Sequence, residues 1–419
     1  MALAADSATA SRKFSFGASK APEGYITVAA DAVYSDARGY GFEPGAAITA
    51  KPAEKLPSGG YITSEKPFYF SVALPEGNYR VTLSLGAPGE ESETTVKAEL
   101  RRLMLQQAKT AKGDVATQRF VVNIRTPHID GSPDDVGLKP REKTMEIWAW
   151  DNRLTLEFNG AKPCVSGLEI TRDDTVPTVY LTGDSTVCDQ PREPWASWGQ
   201  MLTRFFKPDI AVANHAESGE ALRSSRNAHR FEKIFSTLKK GDFVIIQFGH
   251  NDEKEKGEGI GAFTSYKTDL ARLVDEVREN GGTPVLVTPM HRRTFDANGK
   301  ITNSHGDYPE AVRQVAREKS AALIDLHAMS KDFYEALGAE KSAVAFSTVD
   351  GKVDGTHHNA YGAYELAKCV AKGIAATQPD LARHLVEGVA DFNPAKPDPI
   401  DTLNIPASPA VSTEKPYGN

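Results

Sequence analysis

Cysteine is scarce in this chain: three residues among 419, at Cys164, Cys188 and Cys369. That is too few for a disulfide framework and too scattered for a zinc site. They read as buried thiols, with a Cys164–Cys188 bridge as an open alternative. Long apolar runs are missing too; none approaches the ~18 residues a spanning helix needs. Positive charge is not in excess, and a formal net charge of -7 argues against a general nucleic-acid binder. No His/Cys group has the spacing of a catalytic metal site, so neither a metal nor a cofactor is expected. At the start, Met1-Ala2-Leu3-Ala4-Ala5 lacks the apolar core of an intact signal peptide, although Ala2-Leu3-Ala4 has the small-x-small form found before a cleavage site. Export to the periplasm or the outside is the expectation; a chance Ala-rich start is the alternative.

What is present has the composition of a soluble globular protein long enough for two domains. From residue 14 to 174 the texture is all-β. Tyr79, Val81, Leu83 and Leu85 alternate with Arg80, Thr82 and Ser84, and the same period of two recurs in Val96–Leu100, Phe120–Ile124 and Leu154–Phe158. Pro75-Glu76-Gly77-Asn78 and Asn159-Gly160 mark turns between runs. A β-sandwich or jelly roll follows. Residues 175–391 change character. Short apolar runs at Val179–Leu181, Ile210–Ala213, Phe243–Phe248, Pro284–Thr288 and Ala322–Leu326 alternate with helical stripes such as Tyr266, Leu270, Leu273, Val274 and Val277. That alternation predicts a three-layer α/β fold on a parallel sheet, with its ligand site beyond the carboxyl ends of the strands. Residues 1–13 read as a tail, and the Pro-rich stretch 392–419 as an extended one, lying on the surface or disordered.

Chemistry concentrates in a few ordered pieces: Gly183-Asp184-Ser185, Gly219, Gly249-His250-Asn251-Asp252 and Asp354-Gly355-Thr356-His357. A serine hydroxyl is a weak nucleophile until a base takes its proton. His357 is the candidate base, and Asp354 can reach back across a turn to orient its ring. His358 leaves open which imidazole is used. The N–H groups of Ser185 and Gly219 and the amide of Asn251 are candidate oxyanion donors, and glycine at 219 permits a backbone that other residues avoid. Asp252 is assigned to holding its loop. Taken alone, Asp-x-x-His would more often be a polar turn before a helix starting near Ala360, with Asn359 as its cap. In this ordered set it reads as catalytic.

These pieces resemble the hydrolase superfamily named for its Ser, Gly, Asn and His residues, the GDSL-type esterases, over roughly residues 176 to 390. More narrowly, Leu181–Val187, Gln247–Asp252, Asp354–His357 and Thr288-Pro289-Met290-His291-Arg292-Arg293 resemble rhamnogalacturonan acetylesterases. That likeness implies a flavodoxin-like fold and cofactor-free removal of acetyl groups from the galacturonates of branched pectin. It implies Ser185 as nucleophile, Gly219 and Asn251 as oxyanion donors, and Asp354 with His357 as the rest of the triad. In the amino-terminal half, Phe14–Gly17, Arg38–Phe42 and Leu154–Gly160 are similar to the galactose-binding-like sandwich that accompanies bacterial pectin-degrading enzymes. Tyr40, Trp148 and Trp150 are a sugar platform or buried aromatics.

Arg192, Arg292 and Arg293, with His291, are candidate substrate contacts, since a guanidinium fork suits a galacturonate carboxylate. The bland alternative is that such arginines satisfy loop carbonyls. Trp195 and Trp198 read as a helix core stripe rather than a sugar platform. The expected partner is an acetylated pectic saccharide, with neither nucleic acid nor membrane. Esterases of xylan or another acetylated glycan, and a catalytically idle sugar-binding protein, are the competing assignments; the intact Ser185, Asn251, Asp354 and His357 argue against the last.

Overall fold

The computed structural model describes residues 11–17, 21–53 and 56–417. The amino-terminal residues 1–10, with the Ala2-Leu3-Ala4 sequence, lie outside the described residues. Two compact units form, and their boundaries do not follow the chain simply. One comprises Met1–Thr126, Thr144–Val176 and Asn404–Pro409; the other comprises Pro127–Lys143, Pro177–Leu403 and Ala410–Asn419.

The first unit is a sandwich of two mainly antiparallel sheets. One has Gly77–Leu85 between Ala116–Ile124 and Cys164–Arg172, with Ser11–Phe16 beyond; the other runs Tyr40–Phe42, Phe68–Ala73, Arg153–Lys162, Ser92–Ala98, Arg102–Thr110. Alternation puts Tyr79, Val81, Leu83 and Leu85 inward, where they meet Phe14, Phe70, Leu156 and Phe158 in one core. Each fully buried side chain of this size contributes roughly 1.5–3 kcal/mol, so the period-two pattern is also the energetic basis of the unit. Tyr40 packs on Phe14 and Phe70, and Trp150 lies under the Arg125 guanidinium. The carboxy-terminal stretch departs from a free surface tail. Lys97 and Glu157, both buried and 3.5 Å apart, take hydrogen-bond partners from it: Lys97 Nζ donates to Pro406 O and Ser408 Oγ, each at 2.7 Å, and Ser408 Oγ donates to Glu157 at 2.7 Å. Buried charge requires such satisfaction, which is why a segment without apolar periodicity is pinned there.

The second unit is the three-layer α/β fold. Its parallel sheet has the order Ala211–Asn214, Thr178–Gly183, Phe243–Gln247, Thr283–Val287, Ala322–Ile324. The order reverses between Thr178–Gly183 and its neighbours, the switch point where such folds bind ligands. Helices Leu222–Asn227, Arg230–Thr237, Lys267–Glu279 and Tyr308–Glu318 cover one face through Leu222, Phe231, Leu270, Val274 and Val312. On the other side, Ala360–Thr377 approaches the sheet closely enough that a Cβ at Gly373 would sit 2.4 Å from Ile324 Cγ2. All three cysteines are free and buried.

Candidate active site

The strand Thr178–Gly183 ends directly before Ser185, and Phe243–Gln247 ends before Gly249-His250-Asn251-Asp252. His357 is delivered by a strand, Lys352–His358, rather than by a turn, and Asn359 caps the following helix by accepting from Gly362 N. Ser185 Oγ and His357 Nε2 are 2.9 Å apart, and His357 Nδ1 lies 3.4 Å from Asp354 Oδ2. All three residues are buried. The other carboxylate oxygen of Asp354 accepts the backbone N–H groups of Thr356 at 2.7 Å and His357 at 2.8 Å. Burial alone would raise the Asp354 carboxyl, but the His357 ring and these N–H groups outweigh it and hold it well below the usual range. His358 points elsewhere: its Nε2 accepts from the Tyr334 hydroxyl at 2.7 Å, and burial pushes it down to about 3.

Gly219 and Asn251, the expected oxyanion donors besides the Ser185 N–H, lie in loops that hydrogen bonds join. Gly219 has φ +80°, a conformation only glycine adopts without strain. Asn251 Nδ2 donates one hydrogen to Glu220 O at 2.9 Å, which ties the Gly219 and Asn251 loops together and leaves its second hydrogen for another acceptor. Asp252 spans the same loops, accepting Leu222 N and Gly249 N, each at 2.9 Å. Behind Ser185, buried His250 has Nδ1 3.4 Å from Asp184 Oδ2, and burial lowers it to about 4.

Two of the three expected substrate arginines are engaged within the protein. Arg292 pairs with Glu253 at 2.6 Å, which gives the acidic loop after Asp252 a partner. Arg293 donates from Nε to Ser342 Oγ at 3.0 Å and from its guanidinium to Ala339 O at 2.6 Å, while its N–H binds Gly355 O at 2.7 Å. It braces the strand that carries Asp354 and His357. His291 is buried against His327, their rings 3.6 Å apart. Arg192 is half-buried in the loop before Trp195, and joins no ion pair among the described residues.

Two contributors had no signal in the sequence. Trp195 precedes the helix Trp198–Leu202 instead of sharing its core stripe, and packs edge-on against the His357 ring at 5.8 Å. The tail holds it: Trp195 Nε1 donates to Ser412 O at 3.2 Å, and Glu193 exchanges backbone bonds with Ala410 and Ser412. Lys415 then places its ammonium 3.4 Å from Asp354 Oδ2. A Pro-rich segment gives no periodicity from which such docking could be read.

The arrangement suits acyl transfer: a hydroxyl bonded to an imidazole, and the imidazole oriented by a carboxylate. Residues 181–363 match the GDSL-like lipase/acylhydrolase family, and residues 12–130 match the galactose-binding-like domain of beta-agarase and YXIM esterase-like proteins. The rhamnogalacturonan acetylesterase RhgT of Bacillus subtilis is 39% identical over 219 residues, covering 50% of this chain and 94% of that protein. The uncharacterized esterase YxiM of the same organism is 27% identical over 383 residues, covering 86% of this chain and 90% of its own. The crystal structure of that YxiM protein covers 88% of this chain and 98% of its own, at 25% identity and a TM-score of 0.46. Among the described residues no helix is long and apolar enough to cross a membrane. The chain belongs to the GDSL-like acylhydrolases and is a serine-type carboxylic ester hydrolase that carries an amino-terminal galactose-binding-like domain.

Proposed function

We propose that this enzyme removes O-acetyl groups from a carbohydrate, the pectic rhamnogalacturonan backbone in particular, through a covalent acetyl-serine. The observation that carries the mechanism is the continuous contact from Ser185 Oγ through His357 to Asp354. In the first half-reaction His357 Nε2 takes the Ser185 proton as Oγ bonds to the acetyl carbonyl carbon. The oxyanion is received by the N–H groups of Ser185 and Gly219 and by Asn251 Nδ2. Collapse breaks the bond to the sugar oxygen, which leaves with the proton from His357. Water then repeats the sequence on the acetyl-enzyme, releasing acetate and restoring Ser185. Asp354 holds the ring with Nδ1 protonated and stabilises the imidazolium formed at each step.

The pectic substrate is supported by the rhamnogalacturonan acetylesterase at 39% identity, and by a probable one, YesY, at 36% over 201 residues. Arg192 and Arg223, the latter exposed on the helix that follows Gly219, are cations outside ion pairs among the described residues and so available to a uronate. Acetate release should be compared on acetylated rhamnogalacturonan, acetylated homogalacturonan and acetylxylan, with Ser185→Ala as control. Fastest release from xylan would replace the pectic assignment, and turnover by Ser185→Ala would remove the acetyl-serine.

A further inference from the structure

The mechanism leaves unused a buried cluster of charge beneath the Gly219 loop. Glu220 is 1% exposed, and its carboxylate receives Lys139 Nζ at 2.6 Å, Ser224 Oγ at 2.6 Å and Ser225 Oγ at 3.0 Å. Arg230, also 1% exposed, grips Glu142 with both guanidinium nitrogens, at 3.1 and 2.6 Å, and has Nε 3.9 Å from Glu220. Glu142 in turn accepts Lys139 N at 2.8 Å. The Lys139 ammonium makes one more bond, to Ser218 O at 2.6 Å. It therefore bridges the two neighbours of Gly219, the carbonyl on one side and the carboxylate on the other. Glu220 O is also the acceptor that orients Asn251 Nδ2.

The origin of this lysine is unusual. Lys139 and Glu142 come from the excursion Pro127–Lys143, which lies in sequence between the sandwich strands Ala116–Ile124 and Arg153–Lys162 but belongs to the hydrolase unit. Its backbone is docked there as well, Gly137 N donating to Ala228 O at 2.9 Å.

We propose that Lys139 is a positioning residue for the oxyanion hole, clamping Ser218 and Glu220 so that the Gly219 N–H and the Asn251 amide converge on one point. This rests on the acetyl-serine mechanism proposed above. Oxyanion donors act only if their geometry is set before the charge develops, and small misplacements of such groups are costly. A loop centred on a glycine is the element least able to hold that geometry by itself. The hydrolytic site would then depend on a segment encoded within the amino-terminal half of the chain.

The test uses the full chain with Lys139→Met, Lys139→Arg and Glu220→Gln, assayed on a neutral aryl acetate. Because the donors are loosened rather than removed, kcat should fall on the order of tenfold for Lys139→Met, below the about 10²–10³-fold of a deleted donor, with KM within about twofold. Lys139→Arg, which keeps charge and donors, should recover part of the loss, and Glu220→Gln gives an independent break should Lys139→Met fail to fold. In an Asn251→Ala background the same Lys139 change should cost less, since coupled groups are non-additive. Wild-type kcat with only a lower Tm, or a loss fully additive with Asn251→Ala, would overturn the proposal. Neither outcome touches the nucleophile, which Ser185→Ala tests separately.

Discussion

Replacing Asp354 by Asn isolates the contribution of one charge, because the structure fixes how the new amide must sit. The Oδ1 position accepts two backbone N–H groups, from Thr356 and His357. An asparagine placing its NH₂ there would leave both buried donors unpaired, at about 1–3 kcal/mol each. The carbonyl oxygen therefore stays at Oδ1, and the NH₂ takes the Oδ2 position, 3.4 Å from His357 Nδ1 and 3.4 Å from Lys415 Nζ. An NH₂ facing Nδ1 selects the tautomer with hydrogen on Nε2, and that nitrogen is then a donor towards Ser185 with no lone pair for its proton. The base is lost while the geometry is kept. In serine hydrolases this costs about 10⁴ in kcat, or about 5.4 kcal/mol at 1.36 kcal/mol per decade. The assay is pre-steady-state release from an aryl acetate, which separates acylation from deacylation; both should slow, since both need the same base. A variant within tenfold of wild type, with an unchanged melting temperature, would refute the reasoning and remove Asp354 from the mechanism.

Asn251→Ala should lower kcat about 10²–10³-fold with a smaller effect on KM, the cost of one oxyanion donor; an effect confined to KM would make Asn251 a substrate ligand. Arg293→Ala should reduce turnover of a neutral aryl acetate and of acetylated pectic oligosaccharide to the same degree, because Arg293 braces the Asp354–His357 strand through Gly355. A loss confined to the pectic substrate would return it to carboxylate recognition. Acid should separate the two units in calorimetry. In the hydrolase unit burial lowers His250 and His291 to about 4 and His327 and His358 to about 3, so the unfolded chain binds protons below about 6.5 that the folded one refuses, and stability falls from there towards those values. They outnumber Asp252, which burial raises to about 7. In the sandwich the sign is opposite: burial raises Glu99 to about 8 and Asp151 to about 6, so the folded state holds protons the unfolded state has lost and gains stability as pH falls from 8. Two transitions moving together between pH 7 and 5 would contradict this.

The elements that sequence reveals here are those whose burial has a period. Tyr79–Leu85 alternates because one sheet face is core, and Leu270, Leu273, Val274 and Val277 recur with the helical turn because one stripe of that helix is buried. The candidate catalytic pieces are legible for a different reason. Acyl transfer restricts residue type at a few positions, and the parallel sheet places those positions at strand ends, so Ser185 and Asn251 each follow an apolar run. Even the choice between His357 and His358 needed coordinates, because adjacent residues of a strand face opposite ways and nothing local says which side is the cleft.

What sequence does not carry is the destination of segments that earn their place through polar contacts. Pro127–Lys143 and Ala410–Tyr417 have no apolar period, yet the first supplies Lys139 and Glu142 and the second supplies the Ser412 carbonyl and Lys415. Each contact is made by a side chain or carbonyl that would look solvated in any linear view. The same limit explains the arginines. A guanidinium beside a catalytic block is equally suited to a uronate and to a loop carbonyl, and only the positions of Glu253, Ala339 and Ser342 decide that Arg292 and Arg293 are already engaged. Both excursions end beside the proposed catalytic residues, one on Ser218 next to Gly219 and one on Asp354. The hydrolase unit is thus built from three separated stretches of chain, and its two ancillary stretches reach Ser218, Glu220 and Asp354 through charge and backbone contacts.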